Sequence, residues 1–182
     1  MWRWRVALTY LLSLSLVLPG SVFADHAKHP ELLTVSCQTA VHYSPHGGSA
    51  AAAIGILKKA DKTIRLAIYG LTHPGLVDAL VAAKQRGVDV AVKADKVQSA
   101  GKSQKAAIAK LEQAGIPVEV STQSRLLHHK FAVVDGRWVI TGSFNWTVSG
   151  ENQNRENLLI LDCPDLARSF SSEWEVMRPD EP

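Results

Sequence analysis

The sequence predicts an α/β fold in which a mixed, largely parallel β-sheet is flanked by helices within a single domain. Two observations lead to this prediction. Between residues 60 and 120, apolar strand-like segments alternate with helix-like segments, as in parallel strands joined by helical crossovers. After residue 126, strand-like segments follow one another through short turns, which favours hairpins.

The elements before residue 126 follow from periodicity and from the residues that begin and end them. Ser49 can cap an Ala-rich helix, Pro74 can begin the next helix, and glycines are placed to end helices. In order, we predict a strand at 32–43, a helix at 49–60, a strand at 63–69, a helix at 74–87, a strand at 88–94, a helix at 103–114 and a strand at 116–120.

The second half is predicted to be a meander of strands closed by a helix. Asp135-Gly136 is a strong two-residue hairpin signal between two apolar segments. In order, we predict strands at 130–134, 138–141 and 156–162, and a helix at 164–177.

The first residues have the composition of a targeting segment. Two arginines precede an uncharged apolar segment at 6–18, and small residues stand just before Asp25. This succession is typical of a secretory signal peptide, and the apolar segment is shorter than the roughly 20 residues of a membrane span. We expect residues 1–24 to be a signal peptide, residues 25–182 to form the mature domain, and the protein to be periplasmic or secreted. A retained N-terminal anchor is the alternative.

Charge and cysteine content restrict the possible partners and the redox state. The segment 58–112 carries 11 Lys or Arg and five Asp or Glu, whereas 151–182 carries three and eight. The basic segment can attract a polyanion, although lysines on helix faces are often only solvated charge. Cys37 and Cys163 are the only cysteines. In an oxidising compartment they can form a disulfide, and two buried thiols are the alternative.

The segment "LLHHKFAVVDGRWVITGSFNWT", from Leu126 to Thr147, contains polar residues that a core does not need. On a strand, His128 and Lys130 point to one side, while His129 and Phe131 point to the other and can pack. An imidazole beside an ammonium is expensive to bury without an anion. A phosphate would offset that cost, because Lys130 can neutralise it and His128 can attack it or exchange a proton.

A second group of polar residues follows the Asp-Gly turn. Gly142 allows close approach of the backbone, and Ser143 and Asn145 offer donors to phosphate oxygens. Each of these signals is weak alone, and Asp135 is also explained as a simple turn former. Their combined spacing, His128-x-Lys130-x4-Asp135 followed by Gly142-Ser143-x-Asn145, is the informative feature.

With this spacing the sequence resembles the phospholipase D superfamily, whose signature is H-x-K-x4-D followed by G-S-x-x-N or G-S-x-N. More narrowly, it looks like the small secreted bacterial endonucleases of that superfamily, which carry one motif per chain. Further segments echo the family in the same order: "VHYSPHGGSA", "ALVAAKQRGVDV", "GIPVEV", "GSFNWT" and "NRENLLIL". The resemblance implies a phospholipase D-like fold and a phosphodiesterase that forms a covalent phosphohistidine, uses a second histidine as the acid, and requires no metal or other cofactor.

The resemblance also implies roles for individual residues. In the family pattern the catalytic histidine is His128, and the catalytic lysine that binds phosphate is Lys130. The structural motif positions are Asp135 and Gly142, and the phosphate-cradle residues are Ser143 and Asn145. The glutamate that orients the imidazole is Glu156. The sequence departs from the family at Gly70-Leu71, where members often carry Ser-Phe.

One motif per chain leads to an expected homodimer. The mechanism needs a neutral imidazole and a protonated one, and the remaining histidines lack a nearby phosphate cradle. A two-fold axis would bring two copies of His128 together. Metal binding is not indicated, because His128 and His129 point to opposite sides of a strand and no trio of acidic residues accompanies them.

The expected partner is nucleic acid: DNA first, with RNA as a further substrate, bound without sequence specificity. The basic segment from Lys58 to Lys110 can follow phosphates, and Phe144 and Trp146 can stack on bases or pack in the core. Two alternatives remain open: a lipid phosphodiesterase, and a non-catalytic nucleic-acid-binding module with the same fold. We expect no stable membrane insertion after signal cleavage, because the mature sequence has no apolar membrane-docking loop.

Overall fold

The structure, a computed structural model, describes residues 34–121 and 126–177. Within these ranges the structure has seven strands and six helices. In order, they are β1 (Gln38–Ser44), α1 (Ser49–Lys58), β2 (Thr63–Ile68), α2 (Pro74–Gln85), β3 (Asp89–Ala94), α3 (Lys96–Ala100), α4 (Lys102–Gln113), β4 (Val118–Val120), β5 (Lys130–Val134), β6 (Trp138–Gly142), α5 (Val148–Asn152), β7 (Glu156–Asp162) and α6 (Pro164–Val176).

The seven strands form one mixed sheet in the order β1-β7-β6-β5-β2-β3-β4. The predicted α/β class and mixed sheet are confirmed, but the prediction that the sheet is largely parallel is wrong. Only β2–β3 and β3–β4 are parallel, while the other four pairs are antiparallel. The reason is the connections: α2 and α4 make the crossovers that parallel pairs need, whereas the short β5–β6 turn can join only antiparallel strands.

Alternation along the strands divides the core into two faces. Ile64, Leu66 and Ile68 of β2 point to the face covered by α1, α2 and α4. Ala67 of the same strand points to the opposite face, where Phe131 and other side chains pack under α6. The sheet is therefore the middle of three layers, as the period-two pattern of a doubly covered sheet requires.

A buried lysine fixes α6 to the sheet. Lys93 of β3 donates from Nζ to the carbonyl oxygens of Trp174, at 2.8 Å, and Met177, at 2.5 Å, and lies 4.2 Å from the Trp174 ring centroid. Trp174 in turn donates from Nε1 to the Leu66 carbonyl at 3.2 Å. The ammonium satisfies carbonyl groups at the C-terminal end of α6, which carry the negative end of the helix dipole.

Three local predictions need correction. Ser49 does not cap α1, because Gly48 is the N-cap and the Ser49 Oγ is buried without a partner. The Ala50 amide donates instead to Glu151 Oε2 at 2.8 Å, and Glu151 is 101 positions away in sequence. The short helices α3 and α5 were not predicted, and β1 begins at Gln38 rather than near residue 32.

The predicted signal peptide at 1–24 lies outside the described residues, so secretion remains an expectation. Among the helices that the structure describes, none has the length and apolar composition needed to cross a bilayer.

The sequence left the state of the cysteines open, and the structure joins Cys37 to Cys163 in a disulfide. Their Cα atoms are 4.9 Å apart, and 126 residues separate them in sequence. The bond lies next to the register pair Gln38–Asp162, which begins the ladder between β1 and β7. It therefore ties the edge strand β1 to the start of α6.

Replacing both cysteines with alanine should lower the free energy of unfolding by up to roughly 4–5 kcal/mol, because the unfolded chain regains the entropy that the closed loop removes. Urea unfolding followed by circular dichroism measures the change. Reduction of the native protein should reproduce the effect, and an unchanged urea midpoint after either treatment would contradict it.

Candidate active site

The residues predicted to form a site meet at one edge of the sheet. β2 and β6 end there, and β5 and β7 begin there, because the β2–β5, β5–β6 and β6–β7 pairs are antiparallel. Ile68 pairs with Lys130, and Gly142 pairs with Leu158. Residues far apart in sequence are thus placed side by side by the sheet register alone. We call this edge the site edge.

His128 and Lys130 lie over a common aromatic ring. The His128 ring centroid is 4.7 Å from that of Tyr69, and Lys130 Nζ lies 5.0 Å from the Tyr69 centroid. Lys130 Nζ also donates to the His128 carbonyl at 2.7 Å. The prediction that both side chains point to one side is confirmed, and Tyr69 forms the surface beneath them.

His129 points to the other side, again as predicted. Its Nε2 lies 3.2 Å from Glu173 Oε1, and its ring meets Phe131 edge-on at 5.4 Å between centroids. Its backbone is fixed as well, because the Tyr69 amide donates to the His129 carbonyl at 2.9 Å. His129, between His128 and Lys130, therefore holds the start of β5 against both β2 and α6.

The electrostatics of Lys130 suit an anionic ligand. Partial burial lowers its pKa, because it removes water from the ammonium, while the negative charge of Glu156 acts in the opposite direction. A bound phosphate would stabilise the ammonium in place of the water that burial has removed.

Glu156 and Ser143 form a hydrogen-bonded pair next to this lysine. Ser143 Oγ donates to Glu156 Oε2 at 2.5 Å and accepts from the Asn157 amide at 3.1 Å. Asn154 Nδ2 donates to the other carboxylate oxygen at 3.0 Å. Among the described residues of this one chain, Glu156 thus orients Ser143, and its hydrogen bonds do not include the imidazole of His128.

Asn145 lies against Gly70, one of the two positions where the sequence departs from the family pattern. Its Oδ1 is buried without a hydrogen-bond partner. A Cβ atom placed on Gly70 would come within 3.3 Å of this oxygen and 3.0 Å of Thr147 Cγ2. A serine at position 70 would crowd these neighbours, so the glycine fits the local packing of this chain.

Gly142 shapes the backbone at the site, whereas Asp135 fixes the backbone at the far end of β5. Gly142 has a φ of 141°, and a Cβ there would lie 2.3 Å from the Asn157 carbonyl oxygen, so the predicted close approach is present. Asp135 lies at the opposite end of β5. Its carboxylate accepts from the amides of Asp61 at 2.9 Å, Lys62 at 2.8 Å and Thr63 at 2.8 Å.

Sequence reasoning missed the polar network that holds Tyr69. Gln98 Nε2 donates to the Tyr69 hydroxyl at 2.8 Å, and the buried Gln104 donates to the Tyr69 carbonyl at 3.1 Å. Gln104 also accepts from the Leu71 amide at 2.7 Å. The buried Asp95 caps α3 and accepts from the Leu127 amide at 3.2 Å. One signal was available: Asp95 directly follows a predicted strand, at the carboxyl end where parallel sheets place functional groups.

The aromatic residues after the cradle are not available to bases. Phe144 is 1% exposed and Trp146 is 0% exposed, so of the two alternatives left open by the sequence both side chains pack in the core. The Trp146 carbonyl accepts from the amides of Thr72 at 2.8 Å and His73 at 2.9 Å, which turns this segment towards the core.

The basic segment is not a continuous track of free charge. Arg65 pairs with Asp89, Lys110 pairs with Asp78, and Lys93 is buried. Three lysines lie on helices next to the site edge: Lys96, Lys102 and Lys105. Within residues 34–121 and 126–177, no three His, Cys, Asp or Glu side chains gather in a group that could hold a metal ion.

Comparisons with known proteins agree with this geometry. Residues 53–178 match the family model described as "Cardiolipin synthase, PLD-like domain". The chain is 37% identical to mitochondrial cardiolipin hydrolase of Xenopus tropicalis over 72% of its length, and 32% identical to phospholipase D of Rickettsia typhi over 82%. These matches span 62% and 71% of the two relatives.

A solved structure is similar as well. The chain resembles a phospholipase D family member, Nuc from Salmonella typhimurium, with a TM-score of 0.74 and 35% identity. The match covers 77% of this chain and 93% of the other.

Replacing Asp135 with asparagine should lower the free energy of unfolding by about 1–2 kcal/mol near neutral pH, because the three amides lose a charged acceptor. Partial burial by itself raises the pKa of Asp135, but the amide hydrogen bonds and Lys62 bring it below its ordinary value. Its stabilising effect is therefore complete above the unfolded pKa of about 3.9 and is lost as the pH falls through the lower folded pKa.

Urea unfolding across acidic pH measures this dependence. The native protein should lose more stability than Asp135→Asn between neutral pH and pH values below the unfolded pKa. Asp61→Asn removes a nearby carboxylate that accepts none of these hydrogen bonds, and it serves as the control. If the free energy of unfolding changed equally with pH in the native protein and in Asp135→Asn, the carboxylate would have no such role.

Proposed function

The chain belongs to the phospholipase D-like family. We propose that it is a metal-independent phosphodiesterase that hydrolyses DNA, with RNA as a further substrate. The reaction passes through a phosphohistidine at a homodimeric site. The observation that carries the proposal is the convergence of His128 and Lys130 over Tyr69, beside the Glu156–Ser143 pair. These groups can attack, neutralise and hold a phosphate.

In the proposed reaction, the neutral imidazole of one His128 attacks phosphorus and forms an N–P bond. The bond from phosphorus to the leaving oxygen breaks, and a second, protonated imidazole gives that oxygen its proton. The second imidazole then takes a proton from water, whose oxygen attacks phosphorus and releases the first histidine. Lys130 and Asn145 stabilise the charge that develops on the phosphoryl oxygens, together with Ser143, whose hydroxyl proton turns from Glu156 to the phosphoryl group.

A partner subunit is the proposed source of the second imidazole. His129 of the same chain faces α6 and contacts Glu173, and His42 lies on the edge strand β1 within 3.3 Å of the Gly47 carbonyl. A two-fold axis at the site edge would supply another His128. It would also give Glu156 access to the imidazole of the partner subunit.

The surface around the site supports this arrangement. Six large apolar side chains are exposed in the part of the chain that the structure describes. Four of them lie on segments at the site edge: Tyr43, Val97, Leu126 and Val148. We call these four the apolar rim. A self-complementary interface would remove the apolar rim from water.

A lipid phosphodiester is the second candidate substrate. Two relatives are named cardiolipin hydrolase and phospholipase D, and any part of the apolar rim outside the dimer interface would offer a lipid a surface that the sequence alone did not indicate. The chemistry at phosphorus would be the same. Parallel assays on plasmid DNA and on vesicles that contain cardiolipin or phosphatidylcholine distinguish the two substrates.

Replacing His128 with alanine should reduce plasmid cleavage at least about a thousandfold, because the nucleophile and the acid are lost together. Gel electrophoresis of plasmid incubated with each protein measures the loss. His129→Ala is the matched control, because this side chain points away from the site, and it should remain within about threefold of the native rate. Cleavage by His128→Ala at the native rate would show that another site acts.

A chelator should leave plasmid cleavage by the native protein unchanged, because the proposed charges come from side chains. The same electrophoretic assay with and without the chelator measures this. A strict requirement for an added divalent ion would contradict the proposal.

Introducing aspartate at Leu126 and Val148 should convert the expected dimer to a folded monomer without activity, since charge in an apolar interface is costly. Light scattering gives the mass, and circular dichroism shows whether the fold is retained. Val176→Asp, at an exposed apolar position on α6, is the control and should remain dimeric. Full activity in a monomer would exclude the shared site.

A further inference from the structure

A groove between α3, α4 and β4 has no role in the chemistry proposed above. Its volume is about 540 Å³, within the range of about 300–1,000 Å³ of small-ligand sites. Lys96 and Ser99 line it from α3, Lys105 and Glu112 line it from α4, and Val120 lines it from β4.

The groove begins beside the site residues. Asp95, the N-cap of α3, accepts a hydrogen bond from the Leu127 amide at 3.2 Å, and the next residue along the chain is Lys96. Gln98 of the same helix donates to the hydroxyl of Tyr69, the ring under His128. One short helix therefore separates Tyr69 from the groove, and a substrate extending from His128 past α3 would enter it.

Positive and negative side chains lie at opposite ends of the groove. Lys105, Ile108 and Glu112 are spaced for one face of α4, and the N-terminal end of α4 is the end next to the site edge. Glu112 is seven residues beyond Lys105, which is about 10 Å along the helix axis. Among the described residues, Lys96 and Lys105 form no ion pair. Within the groove, the two lysines therefore lie at the end nearer the site edge and Glu112 lies at the distal end.

We propose that this groove binds the nucleotide adjoining the scissile phosphodiester in a single nucleic-acid strand. Lys96 and Lys105 contact its phosphates, and the apolar floor of Ile108 and Val120 contacts its base. Glu112 repels further phosphates, so the footprint is short. This inference rests on the proposed nuclease function. An acyl chain fits less well, because the groove is short and has charged side chains at both ends.

The test compares two double variants that each remove two positive charges. Lys96→Ala/Lys105→Ala alters the groove, whereas Lys58→Ala/Lys84→Ala removes lysines from the C-terminal ends of α1 and α2, at the sheet edge opposite the site. Binding of a short fluorescein-labelled single-stranded oligonucleotide is measured by anisotropy over a range of salt. Hydrolysis of bis(p-nitrophenyl) phosphate, which is too small to reach the groove, and of cardiolipin vesicles is measured in parallel.

We expect the groove variant to bind the oligonucleotide about tenfold more weakly, with a salt slope reduced by about 1.4, because each lost single-strand phosphate contact contributes about 0.7. Its hydrolysis of the small diester should be unchanged, and the control variant should match the native protein. Equal oligonucleotide binding by the two variants, or a loss confined to vesicle hydrolysis, would overturn the proposal. Failure of the native protein to hydrolyse any diester would instead refute the proposed function.

Discussion

The antiparallel pairing of β2 with β5 is the constraint on which the site depends. It joins the parallel part of the sheet to the antiparallel part, and it places the end of β2 against the start of β5, with Ile68 opposite Lys130. The single hydrogen bond from the Tyr69 amide to the His129 carbonyl extends this pairing beyond the ladder. A shift of one residue would turn His128 and Lys130 towards α6 and bring His129 to the site.

The charges at the site edge are arranged for a ligand that is not part of the chain. Lys130 is partly withdrawn from water, and the facing carboxylate, Glu156, is already engaged by Ser143 and Asn154. The Asn145 oxygen is buried without a partner. Such incompletely satisfied polar groups are costly in a folded protein and are usually retained at functional sites. A phosphate held between two subunits would compensate the charge of Lys130.

Local features of this fold could be predicted from the sequence, and long-range features could not. The alternation of His128, His129 and Lys130 follows from strand geometry, and the β5–β6 hairpin follows from Asp135-Gly136. The pairing of β2 with β5 joins strands about 60 residues apart, and no local pattern specifies it. The same limit applies to Gln104, whose partners lie 33 and 35 positions away. The sequence did not decide whether Trp146 packs in the core or stacks on bases, because both roles favour a large aromatic side chain.

We propose that two copies of His128 share one phosphodiester. Rapid mixing of the protein with bis(p-nitrophenyl) phosphate, followed by quenching, measures both the first burst of nitrophenol and the phosphohistidine that accompanies it. One histidine of each pair acts as the nucleophile, so we expect a burst of about 0.5 equivalent per chain, with the phosphoryl group on His128. A burst of about one equivalent per chain, or quenched protein whose phosphoryl group is on another residue, would contradict the shared site.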